Sequence, residues 1–97
     1  MDRVQFDEIA GILRGLLIRL DDRLARKDIT LIDEFIDAGE FGLALEQIAD
    51  VLSEDEHALT RDERADMLSL VSRMRMDDRV TQALTFCPHR QRKVLGT

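Results

Sequence analysis

Large apolar residues recur along the chain with the period of amphipathic helices. In the first 26 residues they fall three or four positions apart, at Phe6, Ile9, Leu13, Leu16, Leu17, Leu20 and Leu24. Asp2 stands where an N-cap residue is expected, so the pattern predicts a long first helix that ends near residues 23–26. Gly11 and Gly15 share one side of this helix, and they either admit a neighbouring helix closely or are simply tolerated there.

The middle of the chain predicts a short second helix and a longer third helix. Asp28 or Thr30 is expected to cap the second helix, and Gly39 stands where a left-handed residue ends a helix. The third helix is expected to begin near Glu40. Its apolar side carries Phe41, Ala44, Leu45, Ile48, Ala49 and Leu52.

The junction between these two helices is expected to be a rigid corner. Gly39 ends one helix, and Gly42 is expected to relieve crowding at the start of the next. Phe41 and Leu45 are expected to pin the corner to the core. The corner would then hold acidic residues of both helices on neighbouring surfaces.

A fourth helix is predicted to start at the capping-box sequence Thr60-Arg61-Asp62-Glu63. Its expected core positions are Ala65, Met67, Leu68, Val71 and Met74. After residue 76 the pattern weakens to a short fifth helix that Pro88 would end. The fold class is therefore all-α, a compact bundle of four to five helices with short connections. We expect one domain over residues 1–86 and a basic, mobile tail over residues 87–97.

Composition places the protein among small globular proteins of a reducing compartment. The 97 residues are enough for one core, and Cys87 is the single cysteine, which excludes an internal disulfide. The N-terminal residues carry acids where a signal peptide needs bases, and the apolar run 12–20 is interrupted by Arg14 and Arg19. These features predict a cytoplasmic protein without a membrane-spanning segment.

Charge is distributed unevenly along the chain. Residues 1–27 have a net charge of +1, residues 28–66 of -11 and residues 67–97 of +4, within an overall charge of -6. A negative protein is a poor generic binder of nucleic acid, because phosphates require a cationic surface. The negative field is concentrated in the middle segment.

Acidic residues of the middle segment form the candidate binding surface. On the third helix, Glu46, Asp50 and Glu54 follow each other at i, i+4 and i+8, a spacing at which like charges destabilise a helix. The full set of candidate partner-binding residues is Asp33, Asp37, Glu40, Glu46, Asp50, Glu54, Asp55 and Glu56. One interpretation is a solvated face that keeps the protein soluble. The other is a docking surface for a basic partner, since concentrated charge accelerates association.

Catalytic and cofactor sites have little support in the sequence. Glu54 and His57 have the spacing of a metal-ligand pair, but a di-iron bundle needs this motif twice. Cys87 and His89 are two zinc ligands where a structural site needs four, and no base is spaced to activate the cysteine. The glycines around Phe41 do not form a phosphate-binding loop. We therefore expect no metal, no cofactor and no enzymatic activity.

The octapeptide Gly39-Glu40-Phe41-Gly42-Leu43-Ala44-Leu45-Glu46, preceded by a short acidic helix, resembles the MafI-type immunity proteins of bacterial polymorphic toxin systems. The capped segment Leu59–Met74 resembles the final helix of that family, so the resemblance covers residues 30–76. The first helix matches only in kind, and the residues after Met76 depart from the family's pattern.

The resemblance implies a small helical protein that binds a cognate toxin domain and neutralises it. Toxins of these systems are often nucleases with basic clefts, which an acidic partner would block. The alternative is an acidic adaptor or regulatory module whose partner is a host protein. A metal-dependent helical enzyme would hold a metal tightly, and a nucleic-acid binder would depend on the basic tail. The sequence leaves the oligomeric state and the binding stoichiometry open.

Overall fold

The computed structural model describes residues 2–90, which form five helices joined by short connections. The helices are α1 (Arg3–Arg19), α2 (Arg26–Asp37), α3 (Phe41–Glu54), α4 (Arg61–Arg73) and α5 (Arg79–Leu84). The predicted all-α bundle is confirmed. Among the described residues, no helix combines the length and the apolar character that crossing a membrane requires.

The core is built around α3, which packs against α1, α2 and α5. All six apolar residues that the periodicity assigned to the inner side of α3 are buried. The predicted inner side of α1 is buried as well, except for Phe6, which lies at the edge of the core. The Phe6 ring packs against Phe41 in a tilted arrangement, with an interplanar angle of 55° and ring centroids 4.7 Å apart, a distance typical of aromatic pairs.

The first helix is shorter than its apolar pattern predicts. It ends at Arg19 because the chain turns there, with the Arg23 amide donating to the Leu20 carbonyl at 2.9 Å. Leu20 and Leu24 are nevertheless both buried, since the turn keeps them against the core. Because Leu20 and Leu24 continue the apolar spacing, the sequence predicted a helix that extends beyond the observed C-terminus of α1.

The second helix starts earlier than predicted and without a side-chain cap. Ala25 is its N-cap residue, so neither Asp28 nor Thr30 has the expected capping role. Asp28 lies in the first helical turn, where a negative charge is favourable to the helix dipole. The Thr30 hydroxyl donates to the Arg26 carbonyl at 3.0 Å.

The fourth helix has the predicted capping box and part of the predicted buried side. The Thr60 hydroxyl accepts from the Glu63 amide at 3.1 Å, and the Glu63 carboxylate accepts from the Thr60 amide at 2.9 Å. The buried residues of α4 are Glu63, Met67 and Leu70. Met67 is buried as expected, and Val71 and Met74 are partly buried against the core. Two positions expected in the core, Ala65 and Leu68, are exposed. The expectation was wrong for these two because the inner side begins with a carboxylate, which an apolar pattern does not count.

Residues 87–90, expected to belong to a mobile tail, pack on the domain instead. Cys87 is buried, and the Leu59 amide donates to the Pro88 carbonyl at 2.9 Å. The Arg90 amide donates to the Leu59 carbonyl at 2.7 Å, so this segment pairs with the loop before α4. The Arg64 guanidinium secures the turn by donating to the carbonyls of Leu84 at 2.7 Å and Cys87 at 2.6 Å. The remainder of the expected tail, residues 91–97, lies outside the described residues.

Candidate protein-binding surface

The corner between α2 and α3 has the predicted left-handed glycine. Gly39 has φ +74°, its amide donates to the Ile36 carbonyl at 3.0 Å, and the Glu40 amide donates to the Phe35 carbonyl at 2.8 Å. These two bonds form a Schellman motif, which satisfies carbonyls at the end of α2. The corner is therefore closed by backbone hydrogen bonds as well as by packing.

Phe41 and Leu45 anchor the corner, whereas Gly42 has no steric role there. Both side chains are buried in the core. A Cβ on Gly42 would approach only Met76 Cε, at 4.0 Å, which is an ordinary contact distance. The crowding expected at this position is absent from the described residues.

Five of the thirteen acidic residues of the middle segment are paired with arginines from the two ends of the domain. Arg14 of α1 binds Asp37 at 2.7 Å, and Arg79 of α5 binds Asp50 at 2.7 Å. Arg19 and Arg23 contact further carboxylates, on α4. The uneven charge along the sequence thus contributes to intramolecular ion pairs, because arginines of the N- and C-terminal segments contact carboxylates of the middle segment.

The predicted acidic stripe on α3 is interrupted by this pairing. Glu46 and Asp50 are only partly exposed, and both face Arg79, with the Glu46 carboxylate 3.7 Å from its guanidinium. Glu54, one turn further on, is exposed and forms no ion pair within residues 2–90. One guanidinium therefore offsets part of the charge of Glu46 and Asp50, and the stripe is open at its C-terminal end.

That open end is a cluster of three consecutive acids, which we call the α3-end cluster and define as Glu54, Asp55 and Glu56. All three are exposed. Asp55 lies 3.7 Å from His57 Nε2, a contact that becomes an ion pair only when the histidine is protonated. Negative charge is unfavourable at the C-terminus of a helix, so the cluster lowers the stability of α3.

Backbone geometry adds a second cost at this cluster. Glu56 has φ 51°, a left-handed conformation that favours glycine. The Glu56 amide donates to the Ser53 carbonyl at 3.2 Å, and the His57 amide donates to the Leu52 carbonyl at 2.9 Å. This is the same Schellman closure as at Gly39, but here a glutamate occupies the position that glycine suits best.

The other predicted acids do not gather into one patch with the α3-end cluster. Asp37 is paired towards α1, whereas Glu46 and Asp50 are paired towards α5. Asp33 and Glu40 are exposed and form no ion pair within the described part of the chain. Glu40 lines an open cleft of about 480 Å³ together with Arg73 and Arg75, so its surroundings include positive charge.

The sequence reasoning missed a buried ion pair between Arg23 and Glu63. Their side chains are 9% and 4% exposed. Burial raises the pKa of the Glu63 carboxyl, but hydrogen bonds from Arg23 and from the Thr60 amide outweigh this and leave that pKa below its usual value. The capping box identified Glu63, but no local signal connected it to an arginine 40 positions away.

The side chains considered for catalysis or metal binding differ in their exposure to solvent. Burial raises the pKa of the Cys87 thiol, and His89 is exposed. Among residues 2–90, no group of three or more His, Cys, Asp or Glu side chains is arranged to hold a metal ion. Of the other candidate metal-ligand pair, Glu54 is a member of the α3-end cluster and His57 directly follows the cluster.

Comparison with known proteins adds no relative. No protein-family model, no curated protein and no solved structure matches the chain.

Proposed function

We propose that the protein is an immunity protein, which binds a toxin domain through acidic residues and neutralises it by occupying a basic surface. The observation that carries this proposal is the α3-end cluster. Three adjacent exposed carboxylates are kept where the helix dipole opposes them, and the backbone conformation is unfavourable for one of them, Glu56. Residues held in sparsely populated backbone conformations cluster at functional sites.

The physical basis of neutralisation would be steric and electrostatic. A cluster of like charge attracts a cationic cleft over several ångströms and raises the rate of encounter. Because the cluster is fixed to the end of a packed helix, little conformational entropy is lost when it is covered. A nuclease toxin would present a suitable cleft, since nuclease clefts are built to bind phosphates.

The remaining features of the proposal follow from this mode of action. The protein would act stoichiometrically and without a catalytic residue or cofactor of its own. It would act in the cytoplasm, where an incoming or newly made toxin must be intercepted. The octapeptide that resembles MafI-type immunity proteins begins at Gly39. It therefore includes the α2–α3 corner and the start of α3, the helix whose other end carries the α3-end cluster.

The first experiment is a pull-down with the tagged full-length protein from lysate of its source, washed at low and at high salt. Each captured protein is then expressed alone and together with this chain. The proposal requires a captured domain that arrests growth alone and is harmless when co-expressed. Capture of a host protein that does not affect growth would instead favour the adaptor. Capture of nothing but non-toxic proteins would contradict the immunity function.

A charge-neutralised variant then tests the surface. The variant combines Glu54→Gln, Asp55→Asn and Glu56→Gln. Its matched control combines Asp21→Asn, Glu34→Gln and Asp62→Asn, at three exposed acids elsewhere. We expect the cluster variant to bind the toxin domain at least tenfold more slowly than the control. Equal association rates of the two variants would exclude the cluster as the binding surface.

A further inference from the structure

The outward side of α1 is an apolar helix face that no element within residues 2–90 covers. At 100° per residue, Val4, Gly11, Gly15 and Ile18 lie together, opposite the buried side that Ile9 and Leu13 share. Val4 is 69% exposed and Ile18 is 75% exposed, the two most exposed large apolar side chains of the described residues. A Cβ added to either glycine would meet no described atom within 4 Å. The close approach that the two glycines permit is therefore not used inside this chain.

We propose that this face binds a second copy of the chain, with the two α1 helices antiparallel and a twofold axis passing beside Gly11. Val4, Gly11 and Ile18 are spaced by seven residues, so they form one line along the helix. An antiparallel pair centred on Gly11 places Val4 of each copy against Ile18 of the other. Gly11 then contacts Gly11 of the second copy. The absence of side chains there lets the helices approach to the lower end of the usual interaxial distance of about 8–10 Å.

Charge complementarity selects a second copy of this chain as the occupant. Asp7 and Arg14 are seven residues apart and flank the apolar line on the same side. In an antiparallel pair related by a twofold axis, like flanks of the two helices face each other. Asp7 of one copy therefore meets Arg14 of the other, and the twofold axis repeats this contact. Both side chains are exposed.

The existing ion pair of Arg14 is compatible with this contact. Its Nη2 donates to Asp37 Oδ1 at 2.7 Å, and the side chain is still 48% exposed. A guanidinium has five N–H donors, so Arg14 can serve Asp37 of its own chain and Asp7 of the second copy together.

The parallel arrangement is disfavoured by the same charges. In a parallel pair the flank with Asp7 faces the opposite flank of the second copy, where Glu8 stands at nearly the same height. An Asp7 and a Glu8 would then oppose each other on both sides of the contact, although Arg73 of the same chain pairs with Glu8 at 2.7 Å and offsets part of this repulsion. The parallel pair also lacks the contact between Asp7 and Arg14. Antiparallel packing replaces this repulsion by two attractive contacts.

The expected dimer is weak and reversible. A single face of a 17-residue helix contributes only part of the roughly 800 Å² that each partner buries in a standard interface. We therefore expect a dissociation constant on the order of 10–100 μM. The face does not include the α3-end cluster, so the dimer and the proposed toxin binding can be tested separately.

The first test uses sedimentation velocity of the full chain at concentrations up to about 1 mM, the range in which small interfaces associate. The weight-average mass should rise from 11.1 kDa towards twice that value. Gly11→Arg should remain monomeric, because it places two guanidinium groups at the twofold axis. The matched control Thr81→Arg, at an exposed position on α5, should dimerise like the parent. A parent that stays monomeric, or a Gly11→Arg variant that dimerises as well as the control, would overturn the proposal.

The second test does not depend on the glycine position. Asp7→Arg and Arg14→Asp should each weaken the homodimer at least tenfold, because like charges then meet across both contacts. An equimolar mixture of the two variants should form a heterodimer at parental affinity, since each new residue then faces its complement. Circular dichroism confirms that each variant is folded. A mixture that associates no better than the separate variants would contradict the antiparallel arrangement.

Discussion

Arg23 and Glu63 form a buried, bidentate ion pair that joins the turn after α1 to the start of α4. Arg23 Nη1 donates to Glu63 Oε1 at 2.6 Å, and Nη2 donates to Oε2 at 2.8 Å. Arg23 Nη1 also donates to the Ala58 carbonyl at 3.0 Å, while Glu63 accepts from the Thr60 amide. Each partner therefore has further hydrogen bonds that offset the cost of burying its charge.

We expect Glu63→Ala to lower the free energy of unfolding by about 3–5 kcal/mol, because it removes the buried partner of Arg23 and leaves that charge with only the exposed carboxylate of Asp22. The neighbouring Asp62→Ala is the control, since Asp62 is exposed in the same helical turn and should cost less than about 1 kcal/mol. Urea denaturation of both variants measures the difference. Equal losses would show that the ion pair adds nothing beyond the helix dipole.

The same pair predicts a loss of stability in acid. The pKa of Glu63 is lower in the folded than in the unfolded chain, so the unfolded state binds more protons as the pH falls. The stabilisation should be complete above about pH 4.3, the usual pKa of a glutamate, and should disappear as the pH falls through the folded value.

Urea denaturation of the parent and of Glu63→Gln between about pH 6 and pH 3 tests this, because the variant should show a shallower decline. Asp22, whose pKa is lowered by its hydrogen bond from Arg23, is exposed. Asp22→Asn should therefore keep most of the parental decline. A parental slope retained in Glu63→Gln would assign the acid sensitivity to other carboxylates.

The prediction from sequence succeeded where apolar spacing and local capping decide the structure. The inner side of α3, the left-handed Gly39 and the capping box of α4 were all predicted, because each depends on residues a few positions apart. The long-range ion pairs were not predicted, since they join residues 23 to 68 positions apart and leave no periodic trace. For the same reason, the acids that seemed to form one surface were resolved into paired residues and the open α3-end cluster only by the structure.

Gly39→Ala should destabilise the α2–α3 corner. The left-handed conformation costs a non-glycine residue roughly 1–2 kcal/mol, and the new Cβ would lie 3.2 Å from Phe6 Cε2. Gly15→Ala is the control in an open helical position, where it should stabilise the protein by roughly 0.5–1 kcal/mol. Opposite signs in thermal or urea unfolding are expected. A neutral Gly39→Ala would mean that the corner adopts another closure.

Phe41→Ala should cost about 3–5 kcal/mol, because it removes a buried ring that packs against Phe6. Phe86→Ala removes the same side chain from a position that is 63% exposed, and it should change stability by less than about 0.5 kcal/mol. Urea denaturation of the two variants measures the contrast. Similar values would place the Phe41 ring on the surface, where it would join the candidate binding residues.

Arg79 provides a test of whether the paired acids of α3 contribute to partner binding. Its guanidinium covers Asp50 and Glu46 and is itself 56% exposed, so a basic partner would have to compete with it. Arg79→Ala should cost less than about 1 kcal/mol of stability, since partly exposed ion pairs are weak. It should also accelerate association with the toxin domain identified by co-expression and make the rate more sensitive to salt.

The control for this experiment is Arg26→Ala, which changes the net charge equally at an exposed arginine on α2 that forms no ion pair within residues 2–90. Stopped-flow association at two salt concentrations compares the two variants. If uncovering Asp50 and Glu46 matters, Arg79→Ala should bind faster than Arg26→Ala, because only the former extends the negative surface along α3 from the α3-end cluster. Equal acceleration would attribute the effect to net charge, and the binding surface would then be confined to Glu54, Asp55 and Glu56.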